Sequence, residues 1–268
     1  MRYTIALVLA ALPSVAGAQV FPVPNTTFAL NSTTYTQDFN TLAATGATGT
    51  ALPTGFQVAE TGSNANTSYG VGTGSSNTGN SYSFGSTGSS DRALGSVGSG
   101  SITQVLFGGV FTNALGATIT DLAFGYTGEQ WRLSNSRDDG LTFQYLIGAT
   151  GITGNGWTTI TGLNFAPLFD NGTATGSALN GNLAVNQRDL AATLSGLTLL
   201  DGQAFGFRWV DVNSTSSDQG LAVDDLSITA TTLAGAVPEP ATWAMMIGGV
   251  GMAGGALRRR RRAAVSFA

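Results

Sequence analysis

The 268-residue chain contains no cysteine, no histidine and no lysine. Without these side chains, Ser–His, Cys–His and Ser–Lys nucleophile systems are excluded. Zinc and copper lose their usual ligands for the same reason. A hard cation bound through oxygen, above all Ca2+, stays open. Disulfides are excluded as well, so an exported form of this chain depends on its core for stability. Charge is scarce: 10% of the residues are charged, against about 25% in a typical soluble domain. Ser, Thr, Asn and Gly fill the polar positions, a surface suited to the cell exterior.

The few charges are unevenly placed. All eleven basic residues are Arg, and six of them lie at the two ends, at Arg2 and from Arg258 to Arg262. Between the ends, five Arg stand against fourteen acidic side chains, a net of about −9. A body of that sign repels phosphate backbones, so nucleic acid is not an expected partner.

Both ends read as addresses rather than fold. At the N-terminus, Arg2 precedes an apolar stretch from Ile5 to Leu12, and Ala16-Gly17-Ala18 is a small-residue cleavage box. This is the layout of a secretory signal over 1–18, with Gln19 as the first mature residue. At the C-terminus, Val237-Pro238-Glu239-Pro240 forms an extended hinge, because each Pro disfavours helix in the residue before it. Ala241 to Leu257 is an uncharged run of 17 residues, followed by the Arg cluster and a short tail over 263–268. As a helix the run spans about 25 Å at 1.5 Å per residue, short for a hydrocarbon core of about 30 Å. Trp243 and the Arg cluster suit interface anchoring, with the Arg side cytoplasmic and the body outside the inner membrane.

The order Pro238-Glu239-Pro240, Trp243-Ala244, apolar run, then Arg258, Arg259 and Arg260 resembles the PEP-CTERM sorting signal, in its P-E-P-x-x-W-A form from proteobacteria. The resemblance implies an exosortase as partner and processing near Pro238–Pro240. It implies a transient stay in the inner membrane through 241–257, and a destination at the cell surface or in an extracellular polysaccharide matrix. A permanent tail anchor is the alternative, with the same topology.

Between the ends, short apolar runs alternate with Gly, Asn, Ser and Asp clusters, and no long 3.6-residue period appears. Strands are expected near 101–112, 117–133, 141–148, 190–200, 204–212 and 221–230, with Asp138-Asp139-Gly140 as a hairpin turn. The expectation is an all-β, jelly-roll-like antiparallel β-sandwich over 19–236, besides the signal helix and the sorting helix. The Gly/Ser/Asn-rich stretch 61–100 reads as a long ordered loop or edge region tied down by Tyr69, Tyr82 and Phe84. The pieces Gln37-Asp38-Phe39-Asn40, Gly128-Glu129-Gln130-Trp131-Arg132, Phe207-Arg208-Trp209-Val210-Asp211 and Gly220-Leu221-Ala222-Val223-Asp224-Asp225-Leu226 resemble a bacterial secreted jelly-roll module, similar in kind to concanavalin-like and carbohydrate-binding sandwiches.

Two constellations are candidates for chemistry. If the first and last strands pair, Asp38 comes close to Asp224 and Asp225, and the resemblance makes a structural Ca2+ there plausible. The alternative is a solvated Asp pair. Glu129 and Trp131 share one face of an alternating strand, where a sugar could stack on the indole and bond to the carboxylate. The alternative is that Trp131 is core and Glu129 pairs with an Arg. Three functions stay open: an exported non-catalytic surface or matrix protein, a carbohydrate-binding module for exopolysaccharide, and a carboxylate-dependent glycoside hydrolase. The last needs two facing carboxyl groups, and no paired-carboxylate motif marks one, so no enzyme is expected.

Overall fold

The computed structural model describes residues 17–22, 27–135, 138–170, 175–233, 245–255 and 258. Two compact units divide at Thr232. The first is a two-sheet sandwich. Its strands in chain order are β1 (Gln19–Phe21), β2 (Phe28–Leu30), β3 (Thr34–Gln37), β4 (Thr48–Gly49), β5 (Phe56–Thr61), β6 (Tyr69–Gly72), β7 (Asn80–Phe84) and β8 (Ala93–Val97). They continue with β9 (Gln104–Asn113), β10 (Ile119–Leu133), β11 (Leu141–Ile147), β12 (Thr158–Thr159), β13 (Ser177–Ala178), β14 (Gln187–Leu194), β15 (Ala204–Val212) and β16 (Gly220–Thr232).

The first sheet runs β1-β5-β9-β15-β11-β12, and β2 adds to the end of β9. The second runs β13-β10-β16-β8-β7-β6-β4, with β14 also on β10 and β3 also on β16. Pairing is antiparallel except for β2 with β9 and β6 with β7. The body is therefore the all-β, jelly-roll-like sandwich that the alternating runs imply.

Period-two patterning explains the core. In β15, Phe205, Phe207 and Trp209 point between the sheets, while Val210 faces outward. Phe56 and Val58 of β5 and Val105, Phe107 and Phe111 of β9 complete the inner face of the first sheet. Opposite them stand Phe124 and Tyr126 of β10 and Val223, Leu226 and Ile228 of β16. Phe207 meets the rings of Phe56, Phe111, Phe124, Phe143 and Trp209 at centroid distances of 5.4–6.3 Å. Edge-to-face contacts dominate this set, the arrangement the ring quadrupole favours.

Three expectations need correction. Of the two readings of residues 61–100, the edge region holds and the long loop does not: β6, β7 and β8 lie within them, toward the edge of the second sheet away from β10, with Tyr69, Tyr82 and Phe84 buried. Composition hid these strands because several of their buried positions carry Ser81, Ser83 and Ser96, with only Tyr69 and Leu94 of these strands in the main core. Asp138-Asp139-Gly140 does not close a hairpin, since β10 and β11 belong to different sheets and the chain crosses between layers there. The run 190–200 is a strand only from Gln187 to Leu194.

In the second unit, residues 245–255 are helical, and Met245, Met246, Ile247, Val250 and Met252 are exposed. Among the described residues, no helix is long and apolar enough to cross a membrane. The signal-sequence reading over 1–16 lies outside the described residues, as do both flanks of the expected helix 241–257.

Candidate functional site

The centre of the second sheet is the long β10–β16 pair, and β16 changes its other neighbour halfway along. Leu221 to Val223 pair with β8, and Leu226 to Thr229 pair with β3. At the changeover, Gly125 faces Ser227 and Thr127 faces Asp224, so Tyr126 alone stands opposite Asp225 and Leu226. That two-against-one count is a β-bulge. Asp225 sits in it at φ 47°, a left-handed conformation that Asp tolerates better than most residues. The bulge returns Leu226 to the core and leaves the Asp225 carboxylate exposed.

The turn after β3 lies beside it. Phe39 is fully buried at φ 52°, which is unusual for a bulky side chain. Its N–H donates to Gln37 Oε1 at 2.8 Å, and its ring meets Phe56 edge-on at 5.3 Å. With Phe39 anchored, Asp38 is exposed at the rim. Thr36, Gln37, Asp38, Thr41, Asp225 and Leu226 line an open pocket of about 420 Å3. Asp224 is 5% exposed and is not part of this lining. Burial pushes its carboxyl up to about 9, although the Asp225 N–H, which donates to Asp224 Oδ1 at 2.7 Å, counteracts this; Glu129, Asp225 and Asp91 add repulsion. Asp225 is also raised, first by desolvation, then by Asp91, Asp38 and Asp189. Carboxylates from the turn after β3 and from β10, β14 and β16 thus gather here. Among the described residues, no three or more Asp, Glu, His or Cys side chains are arranged as a ready metal cage. Asp38 and Asp225 meet at one pocket, while Asp224 stands behind it.

The Glu129–Trp131 pair is built differently from a sugar platform. Both side chains share the outer face of the second sheet, but loops cover that face. Trp131 is 0% exposed and packs with Tyr82, Phe84, Ala93, Val97 and Ala222 in a second, smaller core. Its ring stacks on Phe84 at 5.9 Å and 5°. The backbone at Gly181 passes so close that a Cβ there would lie 2.3 Å from the indole. Neither face is free for a sugar, so the stacking expectation fails at Trp131. Among the described residues Glu129 pairs with no Arg either. The indole Nε1–H donates to Glu129 Oε2 at 2.7 Å, and Gln187 Nε2–H donates to Oε1 at 3.0 Å. What sequence reasoning missed here is the loop cover, which has no local signal beyond the glycines that allow it.

Burial raises the Glu129 carboxyl to about 6; its two donors pull the other way, and Asp91 and Asp225 add repulsion. A raised folded-state value favours the neutral acid. The associated stability is fully present below about 4.5 and is lost as pH rises through 6. Glu129→Gln cannot ionise and should flatten this dependence by about 2 kcal/mol, whatever its absolute offset. Urea melts of both proteins at pH 4.5 and 7 measure it; parallel slopes would count against the assignment.

Of the tag, Arg258 is described and exposed. Pro238, Glu239, Pro240, Trp243, Ala244, Arg259 and Arg260 lie outside the described residues. No curated protein matches the chain. Several solved structures resemble it loosely. The CBM22-2 xylan-binding domain of Xyn10C from Paenibacillus barcinonensis is 10% identical over 74% of this chain and 99% of its own, with a TM-score of 0.32. The K2 cleaved adhesin domain of Lys-gingipain is 13% identical over 73% and 97%, with a TM-score of 0.37. A CBM4 structure is 17% identical over 52% and 84%, with a TM-score of 0.26. The sandwich assignment rests on this chain's own strand pairing. Residues 236–262 match the PEP-CTERM protein-sorting motif. The tail is therefore a PEP-CTERM sorting signal, and it marks the chain as an exported, exosortase-sorted protein of the cell surface or exterior.

Proposed function

We propose that the β-sandwich is a non-catalytic binding module for a hydroxyl-rich polymer outside the cell, an exopolysaccharide, to which the sorting signal delivers it. The supporting observation is the open pocket beside the β16 bulge, lined by Thr36, Gln37, Asp38, Thr41 and Asp225. Hydroxyl and amide groups both donate and accept, and carboxylates accept from sugar hydroxyls. Among the described residues no aromatic ring lines the pocket, so recognition there would rest on hydrogen bonds, with affinity gained by many copies engaging one polymer. On this reading the helical tail holds the chain in the inner membrane only until an exosortase cleaves near Pro238–Pro240.

A Ca2+ ion is the second part of the proposal. Oxygen donors suit a hard cation, and Asp38 and Asp225 would hold it with the neutral oxygens of Thr36, Gln37 and Thr41. Such an ion would offset the repulsion around Asp225 and bridge to sugar hydroxyls. In a pull-down on polysaccharide from the producing cells, the protein should be retained. The Asp38→Asn/Asp225→Asn protein should bind at least about tenfold more weakly. EDTA should lower retention and Ca2+ restore it. Retention no better than that of heat-denatured protein would overturn the binding reading and leave a structural surface role. Retention indifferent to EDTA would overturn only the ion.

A further inference from the structure

At one end of the sandwich, acids occupy positions that the strand pattern assigns to the core. Asp211 follows Phe205, Phe207 and Trp209 at two-residue spacing on β15 and is 2% exposed. Glu60 follows Phe56 and Val58 on β5 and is 0% exposed. Both stand opposite Val105 of β9, one on each side. Each reaches across to the second sheet: Ser81 Oγ donates to Glu60 Oε1 at 2.8 Å, and Ser96 Oγ donates to Asp211 Oδ2 at 2.6 Å. Ser81 and Ser96 are themselves cross-strand partners on β7 and β8. Two acid–serine rungs therefore tie the sheets together side by side.

The rungs are not equivalent. Glu60 also accepts from the N–H groups of Ser81 and Asn66, at 2.7 and 3.1 Å. Asp211 Oδ1 is buried and has no donor among its neighbours. Leu141 pairs with Asp211 across β11 and β15, which brings Asp139, two residues earlier and 5% exposed, against the Asp211 carboxyl. Both Asp139 oxygens already accept backbone N–H groups, from Gly140 at 2.8 Å and Gln219 at 2.6 Å. Asp218 adds a third carboxyl, 6% exposed and bonded to Ser214 N and Oγ at 2.8 Å. The charged groups acting on Asp211 are Asp139 and Asp218, and no basic side chain is among them in the described residues. Two ionised carboxylates in contact inside a protein repel strongly, so one of them must be neutralised.

We propose that Asp139 and Asp211 share one proton in a hydrogen bond at Asp211 Oδ1, and that this bond locks Asp139 and Gly140, ahead of β11, onto β15. Every oxygen of the pair then has a partner. Burial holds both carboxyls above the usual range; Asp211 and Asp218 raise Asp139 further, Asp218 also raises Asp211, and the hydrogen bonds of Asp211 to Ser96 and Asp139 pull it the other way. The sign follows from linkage: the contribution is complete below an unfolded Asp value of about 3.9 and is lost as pH rises through the raised values of the folded pair.

Asp211→Asn tests this in the full chain, because its amide N–H donates to Asp139 permanently while its oxygen still accepts from Ser96. In EDTA, the melting temperature of the wild-type protein should fall by about 5–10 °C more than that of the variant between pH 5 and 8.5. The two should agree within about 2 °C at pH 5. Equal losses at both pH values would overturn the proposal. So would a wild-type midpoint at pH 8.5 that rises with Ca2+ and loses that gain in Asp211→Asn, since a cation would then hold the pair. If the variant does not fold, Asp139→Asn and infrared spectroscopy decide: the protonated carboxyl band at pH 6, to which Asp224 also contributes, should be weaker in Asp139→Asn than in the wild type, and equal bands would refute the shared proton.

Discussion

Trp131→Ala should destabilise the sandwich by about 3–5 kcal/mol, the range for removing a large aromatic from a packed interior. The residue lies outside the main core, on the outer face of the second sheet, yet it is 0% exposed and stacked on Phe84. The loops above it cannot collapse into the cavity easily. Gly74, at φ +81°, already brings its Cα so near that a Cβ would lie 1.8 Å from the Trp131 carbonyl oxygen. Truncation also removes one of the two donors to the buried Glu129, adding the cost of an under-bonded carboxyl. Urea unfolding measures the loss. A change below about 1 kcal/mol would show that the second core is not a structural unit. Trp131→Phe should recover a large part of the packing but not the hydrogen bond, which separates the two contributions.

Phe207→Ala should cost a similar amount, about 3–5 kcal/mol, for a different reason. Phe207 is the hub of the inter-sheet aromatic set, with ring contacts to Phe56 and Phe111 on its own sheet and Phe124 on the facing one. Its loss opens a cavity between two sheets that are rigidly paired, so relaxation is limited. Phe207→Leu keeps most of the apolar volume and should cost roughly half as much. Against a total stability of about 5–15 kcal/mol, either alanine variant leaves a marginal fold. Comparing the two melts tests whether both cores unfold together: a single shared transition is expected, and an early separate transition in Trp131→Ala alone would show that the outer core opens independently.

Much of the fold is legible along the chain because strand periodicity is a local signal. The strand Ala204–Val212 emerges at the expected residues, and β10 runs to within two residues of its expected start and to its expected end. The stretch 61–100 was not legible, because Ser and Gly at inward positions look like linker. They are there because Ser81 and Ser96 face acids rather than hydrocarbon. Asp211 did carry a signal, an acid in register with Phe205, Phe207 and Trp209, but its meaning depends on Asp139 and Ser96, which come from another loop and the other sheet. Asp38 and Asp225 are 187 positions apart in sequence and share a pocket only through the β3–β16 pairing.

The sequence alone settled the sorting address, because a PEP-CTERM tail is read as a linear segment. It also settled the all-β class, because alternation of apolar and polar residues acts over a few neighbours. Only the tertiary structure decided that Trp131 is buried, that Glu129 bonds to it, that Asp38 and Asp225 line one pocket, and that Asp139 and Asp211 meet. Each of those facts depends on sheet register and loop cover, which are set by the packing of residues far apart in the chain.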